Sequence, residues 1–389
     1  MAGALMQLVA YGAQDVYLTS EPTITFWKAV YRRHTNFAME SIAQTLSGSV
    51  GFNQTVICRV SRNGDLMGRT WVEVKVTTGA NELSAGNAVN RVGFALLKRV
   101  ELRIGGQMID RILSTWMYIW TELTHTTDQK TLLNSLVGGD TGNGASNTTE
   151  TIAANTTKIY NIPLLFAYCR HPGLAIPLIA LQYHEVEIQI EFDTLTNTFT
   201  SGCALSGAQV WVDYIFLDTD ERKEFAQKPH EYLIETVQSQ TLGLTSGDNR
   251  LTFNHPTKFL AWVGQLADPN GDSFTDFGDH ADTGTVPCLT NSQLKLNGQD
   301  RFATRANDYF NRVQPYQHFS GNPCFGINVY SFAVKPEEHQ PSGTCNFSRI
   351  DNTNLTITRS ANANTLQVFA LSYNVFRVAS GMGGLAYSN

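Results

Sequence analysis

The feature that most constrains the fold of this chain is a strict alternation of apolar and polar residues in short runs. The clearest runs are TWVEVKV at 70–76, VEIQIEF at 186–192 and LTIT at 355–358. Successive side chains of a strand point to opposite faces of its sheet, so each run predicts a half-buried strand. VWVDYIFLD at 210–218 is more apolar and predicts a strand buried on both faces. Many short strands between Gly-, Pro- and Asn-rich turns are typical of β-sandwiches.

Helical patterns are few and short. ILSTWMYIWTEL at 112–123 has apolar residues at helical spacing, and DERKEFAQK at 220–228 is charged and followed by Pro229. The composition of this second helix differs from that of the β-rich sequence on either side. It is therefore predicted to connect two domains, a number that suits a chain of 389 residues.

One phrase occurs twice, almost half the chain length apart. LRIGGQMIDR at 102–111 and LKLNGQDR at 294–301 share Leu, a basic residue, an aliphatic residue and Gly-Gln, and each is followed by Asp-Arg. A Gly or Asn-Gly pair after a strand favours a tight hairpin. IYNIPLLF at 159–166 and VYSFAVKP at 329–336 form a second match in the same order. These matches indicate two homologous all-β units, with a coincidence of turn chemistry as the alternative.

Charge and hydropathy exclude several classes of protein. The net charge of −6 does not suit direct nucleic-acid binding, which usually needs a basic face. The basic residues Lys28, Arg32 and Arg33 are offset by nearby acidic residues. No apolar run is long enough to span a bilayer, and the N-terminus lacks the basic start of a signal peptide. The chain is therefore expected to be made in the cytosol.

The six cysteines are scattered along the chain and form no CxxC pair. Disulfide frameworks are usually denser and occur in shorter chains. We therefore predict mostly free, buried thiols made in a reducing compartment, and the even number leaves one or two disulfides open.

The motif search predicts no catalytic residue, no metal site and no cofactor. Asp268, Asn270 and Asp272 have the spacing of a calcium loop, but its glycine is displaced and no helices flank it. The pairs His184-Glu185 and His230-Glu231 would point to opposite faces of their strands. HExxH, GxSxG and Walker A motifs are absent. Two carboxylates far apart in sequence, as glycosidases use, remain an open alternative.

Two polar, Gly-rich stretches, 138–157 and 267–285, are predicted to be long surface loops. Asn-X-Ser/Thr sequons begin at five positions, about the number that chance would give: Asn53, Asn147, Asn155, Asn346 and Asn354. Of these, only Asn147 and Asn155 are expected to lie in an exposed loop. These two are the candidate glycosylation sites.

Longer strings carry a resemblance to a known family. They run in order from end to end and include TFWKAVYRRHTNFAMESI at 25–42, PGLAIPLIALQYHEV at 172–186, WVDYIFLDTDERKEFAQKPHEYLIE at 211–235, LNGQDRFATR at 296–305 and SGMGGLAYSN at 380–389. The chain resembles the major capsid proteins of nucleocytoplasmic large DNA viruses, especially those of chlorella viruses and other phycodnaviruses.

The resemblance implies an all-β double jelly roll, that is, two consecutive jelly-roll β-sandwiches with few short helices. The implied organisation is an N-terminal base segment at 1–25, a first jelly roll at 26–217, a connector at 218–228 and a second jelly roll at 229–389. Residues 1–25 lack a sustained alternating pattern. We therefore expect this segment to lie outside both sandwiches and to become ordered mainly on assembly.

The resemblance also implies a structural function without enzymatic activity. The chain would form a homotrimer, a pseudo-hexagonal capsomer that tiles an icosahedral shell and is assembled in the host cytoplasm. The implied partners are neighbouring capsomers, with minor capsid proteins and the internal membrane reached through the N-terminal segment, but not nucleic acid. In chlorella viruses the outer loops carry glycans.

Three alternatives stay open at this point: a minor capsid paralogue, a glycan-binding spike of the same fold, and a glycan-cleaving enzyme. A glycan-binding spike would need exposed aromatic residues in the two long loops. The loop at 138–157 has none, and the loop at 267–285 has only Phe274 and Phe277.

Overall fold

The computed structural model describes residues 3–24, 26–27, 29, 31–79, 86–139, 150–152, 155–199, 202–243, 246–266, 274–275, 277, 288–323, 326–359 and 363–387. The backbone divides into two compact units, Met1–Phe37 and Ala38–Asn389. The first unit contains the short helices α1 (Gly3–Val9) and α2 (Val16–Thr19), neither of which has a buried residue.

The second unit begins with a β-sandwich built from two five-stranded sheets. Sheet I has the order β1-β12-β4-β10 with β9 also on β4, sheet II has the order β2-β3-β11-β6-β7, and β5 pairs with β8 apart from both. The strands are β1 (Phe37–Gln44), β2 (Leu46–Ser47), β3 (Thr55–Arg59), β4 (Leu66–Thr78), β5 (Gly86–Ala88), β6 (Leu97–Ile104), β7 (Gln107–Leu113), β8 (Glu150–Ile152), β9 (Thr157–Pro163), β10 (Ile176–Pro177), β11 (Val186–Phe192) and β12 (Cys203–Leu217).

A second sandwich follows in the same unit. Sheet III has the order β13-β22-β15-β19 with β20 on β15 and β23 on β22, and sheet IV has the order β14-β21-β16-β17 with β18 on β16. The strands are β13 (His230–Gly243), β14 (Gly247–Leu251), β15 (Pro256–Leu266), β16 (Leu289–Leu296), β17 (Gln299–Asp300), β18 (Arg305–Ala306), β19 (Asn328–Ser331), β20 (Cys345–Asn346), β21 (Thr353–Arg359), β22 (Ala363–Ala379) and β23 (Met382–Leu385).

The two sandwiches repeat one topology. The row β1-β12-β4-β9 of sheet I corresponds strand by strand to β13-β22-β15-β19 of sheet III. In the same way, β3-β11-β6-β7 of sheet II corresponds to β14-β21-β16-β17 of sheet IV. The repeated sequence phrase occupies equivalent places, the hairpins β6-β7 and β16-β17. The two homologous all-β units predicted from the sequence are thus confirmed at the level of topology.

Helices lie between the strands, and the two predicted from the sequence are present as α4 and α8. A third helix, α5, is as long as α4 and was not predicted, whereas α3, α6, α7 and α9 are short. A π-helical segment at Tyr309–Val313 continues directly into α9. The α-helices are α3 (Val92–Leu96), α4 (Ser114–Thr124), α5 (Thr127–Val137), α6 (Ala167–Arg170), α7 (Leu195–Thr198), α8 (Thr219–Gln227) and α9 (Gln314–His318). Asp218 caps α8 by accepting a hydrogen bond from the backbone N–H of Thr219.

The alternating runs behave as predicted, with one exception. In β4 the side chains of Val72, Val74 and Val76 are fully buried between sheets I and II, while the intervening residues are partly exposed. In β12 the prediction of burial on both faces is wrong. The face with Tyr214 is buried, but the opposite face with Trp211 is partly exposed because no other element of the described chain covers the outside of sheet I there.

Both copies of the repeated phrase form the predicted hairpin. Gly105 and Gly106 connect β6 to β7 with φ values of 59° and 81°, and Asn297 and Gly298 connect β16 to β17 with φ values of 50° and 79°. Two successive residues with positive φ define the type I′ turn, which matches the twist of the flanking strands. The Gly-Gly and Asn-Gly pairs are therefore what this geometry needs.

Candidate functional site: the joint between the sandwiches and the exposed faces

The two sandwiches meet at a joint whose centre is aromatic. Trp116 of α4 stacks on Phe259 of β15, with ring centroids 5.9 Å apart, and packs against Phe369 of β22 at 5.5 Å. Trp120, one turn further along α4, lies 6.3 Å from the same Phe259 ring. This helix therefore covers the outer face of sheet III, the face that points away from sheet IV.

A buried ion cluster adjoins the aromatic centre. Glu235 of β13 accepts from Arg170 of α6 at 2.9 Å and from Lys258 of β15 at 2.6 Å. His339 lies 3.6 Å from the same carboxylate, and its ring centroid is 5.1 Å from that of His171. The cluster joins the sandwiches because Arg170 and His171 belong to the first and the other members to the second.

The surroundings of Glu235 favour its charged form. Burial by itself raises the pKa of Glu235, but the charge of Arg170, the neighbouring His339 and the ammonium of Lys258 outweigh this effect and lower the pKa to about 2. Lys258 is fully buried and also donates to the carbonyl oxygen of Glu338 at 2.7 Å. The carboxylate of Glu235 is therefore ionised throughout the neutral range.

The repeated phrase contributes to the joint through Asp110 of β7. Its Oδ1 accepts the backbone N–H of Val237, on edge strand β13 of the other sandwich, at 3.0 Å. Its Oδ2 has no hydrogen-bond partner among the described residues. Burial raises the pKa of Asp110 to about 6, against the lowering effects of the Val237 hydrogen bond and the charge of Arg170. The sequence analysis did not predict this role. The Asp-Arg pair that both copies of the phrase share was the feature that could have indicated it.

The C-terminal glycines form a second link between the sandwiches. Ser380 and Gly381 turn β22 into β23, and the N–H of Tyr183 donates to the carbonyl oxygen of Gly381 at 3.0 Å. The Nδ1 atom of His184 lies 2.9 Å from the carbonyl oxygen of Gly383. His184 is thus a structural residue that holds the C-terminal hairpin against the first sandwich.

Two faces equivalent to those of the joint remain exposed. On the outer face of sheet I, Trp71 and Trp211 stack with ring centroids 6.3 Å apart and are only partly buried. On the second sandwich, the helix that follows the repeated hairpin exposes Tyr316 at 89% and Val313 at 41%. We call these the sheet I face and the α9 face. Exposed aromatic and aliphatic groups of this kind mark candidate contact surfaces.

The N-terminal unit has an unusually apolar surface. Nearly all its large apolar side chains are exposed, and Trp27 is 90% accessible. They are Leu5, Met6, Leu8, Val9, Tyr11, Val16, Tyr17, Leu18, Ile24, Phe26, Trp27, Tyr31 and Phe37. A soluble surface rarely carries so many, so this unit is a further candidate contact surface.

Of the two candidate glycosylation residues, the structure describes only one, Asn155. Asn147 lies outside the described residues. Asn155 is exposed in a turn with φ of 57°, and its N–H donates to the carbonyl oxygen of Gly79 at 3.1 Å. The expectation that the other sequons are covered is wrong for Asn53 and Asn346, which are also exposed. Asn53 lies in a tight turn, and Asn346 caps a short 3₁₀ helix, features that strand patterns do not reveal.

The described cysteines are thiols rather than a disulfide framework. Cys58, Cys169, Cys203 and Cys345 form no disulfide with any described residue, and Cys324 lies outside the described part of the chain. Burial raises the pKa of Cys58 to about 12, so this thiol is unreactive. In the part of the chain that the structure covers, no group of His, Cys, Asp and Glu could hold a metal ion. The Nε2 atom of His230 lies 2.8 Å from the carbonyl oxygen of Phe225, so this residue of the second His-Glu pair holds α8 against β13.

None of the helices among the described residues has the length and apolar character needed to cross a membrane.

Comparison with known proteins gives matches over the whole chain. The family described as "Major capsid protein N-terminus" matches residues 25–218, and "Large eukaryotic DNA virus major capsid protein" matches residues 221–384. The major capsid protein of Pyramimonas orientalis virus is 48% identical over the full length of both chains. That of Paramecium bursaria Chlorella virus 1 is 43% identical, again over both full lengths.

Solved structures share the fold. PBCV-1 VP54, in a crystal structure fitted into a cryo-EM reconstruction of the virophage Sputnik, is 40% identical with a TM-score of 0.81, over 94% of this chain and 100% of that one. The Faustovirus major capsid protein has a TM-score of 0.75 at 14% identity, over 97% of this chain and 96% of that one. The predicted double jelly roll is thereby confirmed. This chain belongs to the major capsid proteins of large eukaryotic DNA viruses, the structural proteins of their capsids.

Proposed function

We propose that this chain forms a homotrimer, which serves as the pseudo-hexagonal capsomer of an icosahedral shell. The observation that carries the proposal is the duplication: each chain holds two sandwiches of the same strand order, joined by one extensive contact. Three such chains supply six similar units, which suits a six-sided tile. The proposed domain boundaries are 26–217 and 229–389, with 218–228 as the connector.

Native mass spectrometry of the purified chain at micromolar concentration tests this assembly. The expected result is a dominant species of three chains. A strictly monomeric chain over the whole accessible concentration range would contradict the proposal.

The N-terminal unit is proposed to contact minor capsid proteins and the internal membrane at the base of the capsomer. Its many exposed apolar side chains support this role. Before assembly the side chains of this segment are accessible to proteases. Limited proteolysis of the free trimer should therefore cleave within residues 1–25 first. Full protection of this segment in the free trimer would contradict the proposal. No direct contact with nucleic acid is proposed, in keeping with the net charge of −6.

Glycans are proposed at Asn147 and Asn155, on the loop that begins after α5. The exposure of Asn155 supports its assignment. Glycopeptide mass spectrometry of virion-derived protein tests both sites. The expected result is modification at one or both, and unmodified peptides at both positions would contradict the assignment.

We propose that the chain has no enzymatic activity. Asp110 and Glu235 line one small cavity at the joint, and their pKa values are shifted in opposite directions, as in a glycosidase pair. However, their exposed fractions are only 6% and 5%, and both carboxylates bind groups of the joint itself. A sugar chain has no access to them, so a glycan-cleavage assay is expected to show no turnover above background. Turnover abolished by Glu235→Gln would contradict this view.

A further inference from the structure

We propose that the joint within one chain is repeated between chains, so that the α9 face of one copy docks on the sheet I face of a second copy. This inference rests on the proposed trimer and names the surfaces that would form it. The template for the contact is the joint that each chain already contains.

The joint has a front and a back. The front belongs to the first sandwich and consists of α4 with its two tryptophans and strand β7 with Asp110. The back belongs to the second sandwich and consists of the outer face of sheet III and the edge strand β13. The side chains on that outer face, Phe259, Ala261 and Val263, are fully buried.

The second sandwich carries a front of its own, which packs on its own strand β19 through Asn311 and Gln314 but covers no described part of sheet I. The strand equivalent to β7 is the short β17, and both of its residues are exposed. The helix that follows is the continuous segment Tyr309–His318, equivalent to α4. The apolar side chains of α4 are all buried, whereas this second helix leaves Val313 and Tyr316 exposed.

The first sandwich likewise carries a back, the outer face of sheet I with edge strand β1, that no described element of the second sandwich covers. Strand β1 is equivalent to β13, but its residues Phe37–Ser41 are exposed, whereas Ile234–Val237 of β13 are buried under the first sandwich. On sheet I the outward-facing Trp71, Glu73 and Lys75 are partly exposed, whereas their counterparts on sheet III are buried. Each surface that the joint buries therefore has an uncovered equivalent elsewhere in the chain.

The chemistry of the uncovered surfaces fits a contact made after folding. The sheet I face mixes a stacked tryptophan pair with charged residues, and the indole N–H of Trp211 donates to Glu73 at 3.2 Å. Contacts between separately folded chains usually keep about the polarity of ordinary surface around aromatic anchors.

Such a contact is heterologous, because two different surfaces meet. Each copy offers one free front and one free back, so contacts of this kind form either a closed ring or an open filament. In the proposed trimer, three copies close the ring. The contacts between chains then alternate with the joints within chains around the capsomer.

Complementation between two variants tests the proposal. Tyr316→Asp damages the α9 face, Trp71→Asp damages the sheet I face, and Leu132→Asp on α5, 66% exposed and part of neither surface, is the matched control. Native mass spectrometry gives the oligomeric state, and circular dichroism with thermal unfolding confirms that each variant is folded. Val313→Asp provides a second α9-face variant, because its side chain is 41% exposed and belongs to the same face.

We expect the unmodified chain and Leu132→Asp to be trimers, and each face variant alone to be monomeric. An equimolar mixture of Tyr316→Asp and Trp71→Asp should form heterodimers, since one intact front and one intact back remain. If the face variants stay trimeric, or if the mixture forms no heterodimer, the proposed surfaces are wrong while the trimer itself stands. A monomeric unmodified chain would overturn the trimer, and this inference with it.

Discussion

Two buried carboxylates at the joint, Asp110 and Glu235, have pKa values shifted in opposite directions. The pKa of Glu235 falls to about 2 because of its cationic partners, whereas burial raises that of Asp110 to about 6. A group with a lowered carboxyl pKa stabilises the folded state at neutral pH, and one with a raised pKa does so only when protonated. The two carboxylates therefore make the stability of the joint depend on pH in opposite ways.

Replacement of Glu235 by Gln should destabilise the protein at pH 7 by roughly 3–5 kcal/mol, because it leaves two buried cations without a carboxylate. The stabilisation from Glu235 is fully present above its ordinary pKa of 4.5 and is lost as the pH falls toward 2. The deficit of the variant should therefore shrink below pH 4.5. Urea unfolding at pH 7 and pH 3.5 measures it, and an equal deficit at both pH values would contradict the assignment.

Replacement of Asp110 by Asn should have the opposite effect and increase the free energy of unfolding at alkaline pH. The amide oxygen can still accept the N–H of Val237, while the cost of a buried negative charge disappears. Since the pKa of Asp110 is raised from 3.8 to about 6, its ionisation costs stability as the pH rises through 6. The variant should gain up to about 3 kcal/mol at pH 8 and almost nothing near pH 4. Chemical denaturation at both pH values checks this, and a variant less stable than its parent at pH 8 would refute it.

At the scale of residues, the sequence predicted little of the joint. Glu235 and Lys258 look like ordinary residues of alternating strands, and their partner Arg170 is far away in the chain. Single-sequence patterns report which face a side chain occupies, but they do not report which distant group faces it. The exposure of Asn53 was missed for a similar reason, because it depends on a local turn with positive φ.

At the scale of elements, the two hairpins of the repeated phrase share a turn but differ in their neighbours. A Cβ atom on Gly105 would lie 2.3 Å from Nδ1 of His184, whereas one on Gly106 would meet no atom within 4 Å. In the second hairpin the equivalent of Gly105 is Asn297, which adopts the same left-handed conformation. The glycine at 105 is thus needed for space, and the one at 106 only for its backbone conformation.

Alanine substitutions separate these two effects. Gly106→Ala should cost only the strain of the left-handed conformation, about 1–2 kcal/mol. Gly105→Ala should cost more, and should also displace His184 and release the C-terminal hairpin. Hydrogen exchange at residues 382–385 measures this release and should rise in Gly105→Ala but not in Gly106→Ala. Equal protection of the hairpin in both variants would show that His184 does not hold it.

The sequence predicted the elements well where a local pattern determines them. The strands at 70–76 and 186–192, the hairpins and the helix α4 all follow from alternation, turn residues or helical spacing. The prediction for 210–218 was wrong because Trp211 is apolar but faces outward on sheet I. A strand with an apolar outer face cannot be distinguished by sequence from one that is buried within the same chain.

At the scale of the whole molecule, the main apolar core is continuous across the joint. One cluster of buried side chains includes Val74 of the first sandwich, Trp116 at the joint and Phe369 of the second. A core shared in this way couples the stabilities of the two sandwiches.

The two sandwiches should therefore unfold together. Differential scanning calorimetry of the chain should show one transition for both, and Trp116→Ala should lower its midpoint without splitting it, with a cost of about 3–5 kcal/mol. Two well-separated transitions in the unmodified protein would show that the joint does not couple the sandwiches.

The short helix α8 carries the backbone from the first sandwich to the second, and this tether has a consequence for assembly. A tether turns the meeting of two surfaces into an intramolecular step with a high effective concentration. Every second contact around the proposed ring thus forms as each chain folds, whatever the number of copies in the cell. Only the contacts between chains depend on how many chains are present, so the equilibrium amount of the proposed tile should rise with the third power of the free chain concentration, not with the sixth.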